Sequence, residues 1–459
     1  MKPLISFLTS FLWITHFLLA QTNPVITEWL QNNTLTGSYY VSGNSTAISN
    51  GILVNCQSVQ YSANWAYIST KGIPAYPTGP FQDGNPSQAS NQNAIFKFPL
   101  NPQPNSGTPT STTMGNIGLF INGVALFDYR DGVAWNSTTN ALCGGPGNPP
   151  CPGGPNTPQN WTRDAVVAER PGFDCSKGHP AMGNYHHHQN PSAFKLDLQV
   201  VSSICNLYDA DGLYVIDSNE HAPLIGFAYD GYPIYGAYGF KNTDGTGGIT
   251  RMRSGYQLRN ISTRTTWADG TDVPDGPPVT TTYPLGYFRE DYAFIAQPAN
   301  PEYLDEHNGR FCITPEYPNG TYAYFTTVDE NHNSAFPYVV GPTFYGQKTA
   351  AKVTSISEAV TTYTPSVIGI SSEAIRKKSI QVFPNPASDL LAIQAGQLVR
   401  NELLVQLTDI QGKVVLEKII PPGGTIAYFD LQTVYEGVYV LLVSDGSENF
   451  SQQIVVSRK

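Results

Sequence analysis

The sequence predicts a mainly β protein, with a loop-rich β-sheet body followed by a small β-sandwich. Three observations carry that expectation. Gly (42) and Pro (36) are abundant in a chain of 459 residues, only 13% of which are charged, so turn formers abound and helix formers are scarce. Short runs of β-branched and aromatic residues alternate with Gly, Pro and Asn clusters along most of the chain. No segment sustains an apolar period of 3.5 or 3.6 residues, which excludes a coiled coil or helical bundle. A 40% hydrophobic content with 12% aromatics is too apolar for wholesale disorder. The net charge of −10 argues against a nucleic-acid partner, because phosphate neutralisation needs clustered Lys and Arg.

Residues 1–20 read as a signal peptide. Lys2 precedes an apolar run from about Leu4 to Leu19, and Ala20 is a small residue before a plausible cut at Gln21. No later stretch reaches the roughly 18 apolar residues of a membrane helix. Residues 21–346 form the body. Its predicted strands include Ile52–Ala63, Trp65–Ser69, Ala94–Phe98, Gly118–Ile121 and Val124–Tyr129. Asn122-Gly123 sits between the last two as a hairpin turn of the kind that needs positive φ, and Asp164–Glu169 is the one short helix expected.

Six cysteines, Cys56, Cys143, Cys151, Cys175, Cys205 and Cys312, form an even set in an exported chain and suggest up to three disulfides. Cys143 and Cys151 bracket a Gly/Pro-rich loop and are the first expected pair.

Histidine placement is the sharpest feature of the body. Of eight His in the chain, five fall between His179 and His221. In Tyr185-His186-His187-His188 an extended backbone sends alternate side chains to opposite faces. His186 and His188 then share one face, Tyr185 and His187 the other. Two imidazoles on one face can converge on an ion, and neutral imidazole suits zinc, copper, iron or nickel. The competing reading is a hydrogen-bonded His cluster that holds strands together. Cys175 and Met182 lie close in sequence as soft donors, although a disulfide and a packing role are the ordinary fates of such residues. Tyr229, Tyr232, Tyr235 and Tyr238 recur at intervals of three, as a pocket lining or as core packing. Asp209-Ala-Asp211-Gly212, with Asp217 and Glu220 downstream, lacks the register of a calcium loop, so calcium is not expected.

Residues 347–375 are rich in Ser and Thr and read as a linker. The segment 376–459 differs from the body, with 8 basic and 8 acidic residues and neither Cys nor His. Between Lys2 and this segment stand 16 basic and 27 acidic residues, so the acidity belongs to the body. Seven short runs, Ile380–Phe383, Leu390–Gln394, Leu403–Asp409, Lys413–Ile419, Thr425–Asp430, Gly437–Ser444 and Phe450–Ser457, predict a small immunoglobulin-like sandwich.

Two resemblances follow from quoted motifs. Val382-Phe-Pro-Asn-Pro-Ala387, Asp409-Ile-Gln-Gly-Lys413, Gly437-Val-Tyr-Val440 and Val455-Val-Ser-Arg-Lys459 resemble the type A sorting domain of the type IX secretion system. That resemblance implies a Bacteroidetes-type source, Sec export to the periplasm, a partner in the type IX machinery for 376–459, and passage to the cell surface or beyond. Gly178-His-Pro-Ala-Met-Gly-Asn-Tyr-His-His-His188 resembles the signature of the YHYH-domain family. His221-Ala-Pro-Leu-Ile-Gly-Phe-Ala-Tyr-Asp-Gly-Tyr-Pro-Ile-Tyr-Gly236, Leu304-Asp-Glu-His-Asn-Gly-Arg310 and Thr314-Pro-Glu-Tyr-Pro-Asn-Gly-Thr-Tyr322 are similar to further blocks of that family. The sequence departs from the pattern at His187, where the family has its second Tyr. The family resemblance names a domain without implying an activity.

His179, His186 and His188, which match positions of the family pattern, and His221, which opens its second block, are the expected metal ligands, with copper or zinc as the ion. Asp305, Glu306 and Tyr185 offer oxygens, as ligands or as partners that orient an imidazole. Signatures of HExxH, GxSxG and phosphate-loop enzymes are absent. Three functions stay open: a secreted metal-binding protein, a metal-dependent hydrolase or oxidoreductase using the same cluster, and a glycan-binding or structural module whose His bind no metal.

Overall fold

The computed structural model describes residues 23–42, 44, 47–81, 88–154, 157–193, 213–364, 380–395, 399, 402–422, 424, 426–445 and 449–458. The expected signal peptide, Cys205 and the Asp209–Gly212 segment lie outside the described residues.

The body is built on one mixed sheet of eight strands: β1 (Asn116–Phe120), β2 (Ala125–Phe127), β3 (Gly178–Ala181), β4 (Asn184–His187), β5 (Leu224–Ala228), β6 (Pro233–Tyr235), β7 (Gly309–Cys312) and β8 (Thr321–Phe325). Their spatial order is β3-β4-β2-β1-β5-β6-β8-β7. The β4–β2 and β6–β8 pairs are parallel and the rest antiparallel. β1 and β2 form the expected hairpin. Gly123 has φ +76, and a Cβ there would lie 2.2 Å from Thr70 Oγ1, so the turn also needs a bare backbone to seat against the neighbouring sheet.

A second, antiparallel sheet of five strands packs on the first through a shared core. Its order is Ala351–Val353, Ala94–Pro99, Trp65–Thr70, Cys56–Tyr61, Thr361–Tyr363. Trp29, Phe98 and Phe227 meet between the sheets with ring centroids 5.3 to 6.3 Å apart, the spacing of offset aromatic contacts. Two expectations change here. The run Ile52–Ala63 is split, because Asn55 turns the backbone at φ +63 between strands Ile48–Leu53 and Cys56–Tyr61. The expected linker 347–375 is in part structural, since Ala351–Val353 and Thr361–Tyr363 close both edges of the five-stranded sheet. Thr and Val are good strand residues once an edge is there to pair with, and composition alone does not reveal the edge.

All seven expected runs of the tail are strands, in sheets of three and four. Leu391, Ile393, Val405, Leu407, Leu441 and Ile454 form its core, separate from that of the body. Among the described residues no helix is long and apolar enough to cross a membrane.

Cysteine expectations are met only in part. Cys143 and Cys151 form a disulfide, and Cys175 is also disulfide-bonded. Cys56 and Cys312 are instead buried free thiols. Both lie within strands, where their side chains pack in the core of the body as small apolar groups.

Candidate metal centre

The centre begins with a tight hairpin at the edge of the eight-stranded sheet. β3 and β4 are joined by Met182-Gly183, both at positive φ (48 and 83), the two-residue turn whose twist matches that of paired strands. Gly183 is required twice over, since a Cβ there would lie 2.1 Å from Ser90 Oγ. The register sets His179 directly opposite His186. β4 continues extended into His188, which returns to the face of His186.

Three imidazoles therefore converge. The nearest ring nitrogens of His179, His186 and His188 lie within 4.8 Å of one another, and all three residues are buried. His186 Nε2 and His188 Nε2 are 3.0 Å apart. Their other nitrogens are fixed by backbone carbonyls: His186 Nδ1 donates to Asn184 O at 2.8 Å and His188 Nδ1 to Asp128 O at 2.5 Å. A carbonyl only accepts, so both Nδ1 atoms carry hydrogen. In the neutral rings both Nε2 atoms then present lone pairs inward, the arrangement that second-sphere carbonyls impose on metal-binding imidazoles.

Glu169 completes the cluster. The short helix Ala165–Ala168 is capped by Asp164, whose side chain accepts from Val166 N at 2.8 Å, and Glu169 is its C-cap residue. Glu169 Oε2 lies 3.3 Å from both His179 Nε2 and His188 Nε2. Neither approach is a hydrogen bond, and Glu169 Oε2 and both ring nitrogens of His179 are buried without one. Phe127 stacks on His186 with centroids 3.8 Å apart, and Phe173 meets His179 edge-on at 4.8 Å. These rings keep the imidazoles in low dielectric.

The electrostatics follow from that burial. Desolvation drives the His186 pKa well below its ordinary value, helped by the neighbouring His188 and His179. Burial works the same way on His188, but the Glu169 carboxylate outweighs it and the His188 pKa is raised. Burial pushes the Glu169 carboxyl up, while His179 and His188 overcome it and hold its pKa far below the usual range.

The opposite face of β4 is a separate polar cluster. Tyr185 Oη donates to Asp174 Oδ2 at 2.9 Å, and Asp174 also accepts from the backbone of Gly79, Ser176 and Gly178. His187 Nε2 meets Tyr76 Oη at 2.7 Å. Tyr185 is thus a strut beneath the hairpin, and it turns away from the three His.

Several nominated residues stand elsewhere. His221 packs against Tyr235, Phe240 and Phe325 with Nδ1 on Ala222 O. These contacts place it beside β6 and β8, across β2, β1 and β5 from the hairpin of β3 and β4. Asp305 caps its own turn, accepting from His307 N, Gly309 N and Tyr322 Oη, and Glu306 is exposed 3.9 Å from His307. Met182 is 98% exposed at the hairpin tip, and Cys175 is consumed by its disulfide, so neither gives the centre a sulfur. Tyr229, Tyr232 and Tyr235 are buried in the core. Glu169 was the residue missed. It lay at the end of the expected helix, but nothing local in the sequence ties it to His residues 10 to 19 positions later.

Comparisons with known proteins match two segments of the chain. Residues 95–337 match the family described as YHYH protein, and residues 381–457 match the secretion system C-terminal sorting domain. No curated protein matches. A solved protein with an immunoglobulin-like β-sandwich fold from Bacteroides vulgatus is similar at 17% identity, over 18% of this chain and 87% of that one, with a TM-score of 0.16.

Proposed function

The chain belongs to the YHYH protein family, and from that premise we propose that its body binds a transition-metal ion through His179, His186 and His188, with Glu169 as an oxygen donor beside them. The sorting domain ties the chain to the type IX secretion machinery and sends it to the cell surface or the extracellular space. A signal peptide over residues 1–20 supplies the first leg of that route.

The observation that carries the metal reading is the 3.0 Å approach of His186 Nε2 to His188 Nε2. Two lone pairs at that separation repel unless a cation lies between them. A single proton between His186 and His188 would leave both His179 nitrogens and Glu169 Oε2 without a hydrogen bond, which is costly. A metal ion serves all four groups. In a tetrahedral zinc site with bonds of about 2.0–2.1 Å, neighbouring donors sit about 3.3 Å apart; His186–His188 and the two approaches of Glu169 are 3.0, 3.3 and 3.3 Å, while the three imidazole nitrogens together span up to 4.8 Å. Three imidazoles and a carboxylate suit zinc or Cu(II). With no sulfur donor, little favours Cu(I). The Glu169 side chain is 27% exposed, against 9% or less for His179 and His188. A substrate for metal-dependent chemistry would have to approach from the Glu169 side.

Elemental analysis of the full chain tests this, beside a His186→Ala/His188→Ala variant whose β signature in circular dichroism is intact. One equivalent of zinc or copper is expected in the parent and none in the variant. A parent that retains no stoichiometric metal after loading and dialysis overturns the proposal.

A further inference from the structure

A cleft of the body adjoins the His cluster without including it. It encloses about 530 Å³, within the roughly 300–1,000 Å³ of ligand clefts. The segment Ala165–Arg170 separates the two: Glu169 faces the imidazoles, whereas Val166, Val167 and Arg170 line the cleft. Arg251 and Arg253 line it from the far side. Three guanidinium groups in one cleft stand out in a body with far more acidic than basic residues. Two carboxylates share the lining: Asp329 is occupied by its own loop, accepting from Asn331 N, Asn333 N and Asn333 Nδ2, and Glu330 is exposed and, like Glu302, within Coulombic reach of Arg253, while one Arg251 nitrogen donates to Val328 O.

The remaining lining is amphipathic. Phe336 is sandwiched by Tyr292, stacked at 4.3 Å, and Tyr256, edge-on at 5.3 Å, which makes a rigid aromatic wall. Arg253 donates to Tyr303 Oη at 3.2 Å and lies over that ring, so its fork is held in place. Ser334 Oγ lines the same cleft and is a buried hydroxyl with no hydrogen-bond partner. Such a group awaits a ligand or a water.

We propose that this cleft binds an acidic carbohydrate, its carboxylate or sulfate held by Arg170, Arg251 and Arg253 and its sugar face laid on the aromatic wall. Guanidinium forks match carboxylate and sulfate oxygens in pairs. The cleft is too large for a bare anion, and an aromatic wall beside Ser and Gln side chains suits a ring that is apolar on its face and hydroxylated at its edge. The site does not depend on the metal reading.

Calorimetric titration of the full chain with four probes decides it: an oligogalacturonate, a sulfated oligosaccharide, a neutral cello-oligosaccharide and inorganic sulfate. Binding of one of the two acidic sugars is expected, and which one identifies the anion. That binding weakens with ionic strength and falls at least about tenfold in Arg253→Gln, whose exposed side chain can be changed without opening the core. It also persists after chelation and in the His186→Ala/His188→Ala variant. Equal affinity for the neutral sugar, no acidic-sugar binding, or binding indifferent to both Arg253→Gln and Arg251→Gln overturns the proposal. Binding abolished by chelation would place the sugar at the His cluster and overturn it too.

Discussion

Replacing Glu169 by Gln keeps the size of the side chain and removes its charge. In the metal-bound protein this takes away an anionic oxygen that lies 3.3 Å from two of the three coordinating nitrogens. Loss of a partner at that range costs roughly 10–100-fold in metal affinity, or about 1.4–2.8 kcal/mol. In the metal-free protein the same change takes away the carboxylate that raises the His188 pKa. Glu169 has a depressed pKa in the folded state, so its contribution to stability is present above the carboxylate's unfolded pKa and lost on acidification through the folded one. Glu169→Gln should therefore lower the apo melting temperature at neutral pH and flatten its fall in acid. Competition with a chromogenic chelator reads the affinity, and scanning calorimetry with and without metal reads the rest. A variant with reduced apo stability but unchanged metal affinity would refute the assignment of Glu169 to the metal site, leaving it only as the counter-ion of a protonated imidazole.

Four further outcomes are expected. Tyr185→Phe removes one of the hydrogen bonds to buried Asp174 and should lower stability by about 1–2 kcal/mol in urea unfolding while metal content stays at the parent value. His187→Phe breaks the 2.7 Å bond to Tyr76 on the face of β4 away from the metal, so it too should cost stability and spare metal content. Reducing Cys143–Cys151, which spans a sequence separation of 8, should cost about 2–3 kcal/mol on loop entropy, whereas Cys56 and Cys312 should be alkylated only after unfolding, as peptide mapping would reveal. Asp230 is fully buried and pushed up to about 6 by that burial; its folded pKa exceeds the unfolded one, so its own contribution to stability is complete below about pH 4 and is lost, by about 3 kcal/mol, as pH rises through 6, and Asp230→Asn should remove that component of the slope in urea midpoints taken across the range.

Much of this architecture was legible because strands advertise themselves locally. Each of the seven tail strands is a short apolar run between turn residues, and Asn122-Gly123 announced its hairpin. The pairing of His186 with His188 followed from nothing more than strand alternation. What alternation cannot supply is the partner strand. His179 reaches the site because the Met182-Gly183 turn sets a register that puts it opposite His186. Glu169 reaches it because a capped single turn of helix ends there. His221 has the right chemistry and the wrong address, since β5 and β6 carry it to the Tyr235 and Phe325 side of the sheet. The strands at 351–353 and 361–363 escaped notice for the same reason, being edge strands whose partners come from more than 250 residues earlier.

The departure from the family signature at His187 makes physical sense on this reading. β4 serves two environments at once: one face supplies His186 and His188, and the other anchors the hairpin to Asp174 and Tyr76. A family Tyr at the position of His187 would be a neutral aromatic with a polar end in a buried site. His187 meets that description, because burial holds its pKa down to about 3, so it is neutral at any physiological pH. Its ring packs edge-on against Phe120 and Tyr185 while Nε2 meets the Tyr76 hydroxyl. The third histidine of the run is thus an imidazole doing the packing and hydrogen bonding of a phenol. The alternate positions, His186 and His188, carry the two imidazoles that the proposed metal site would use.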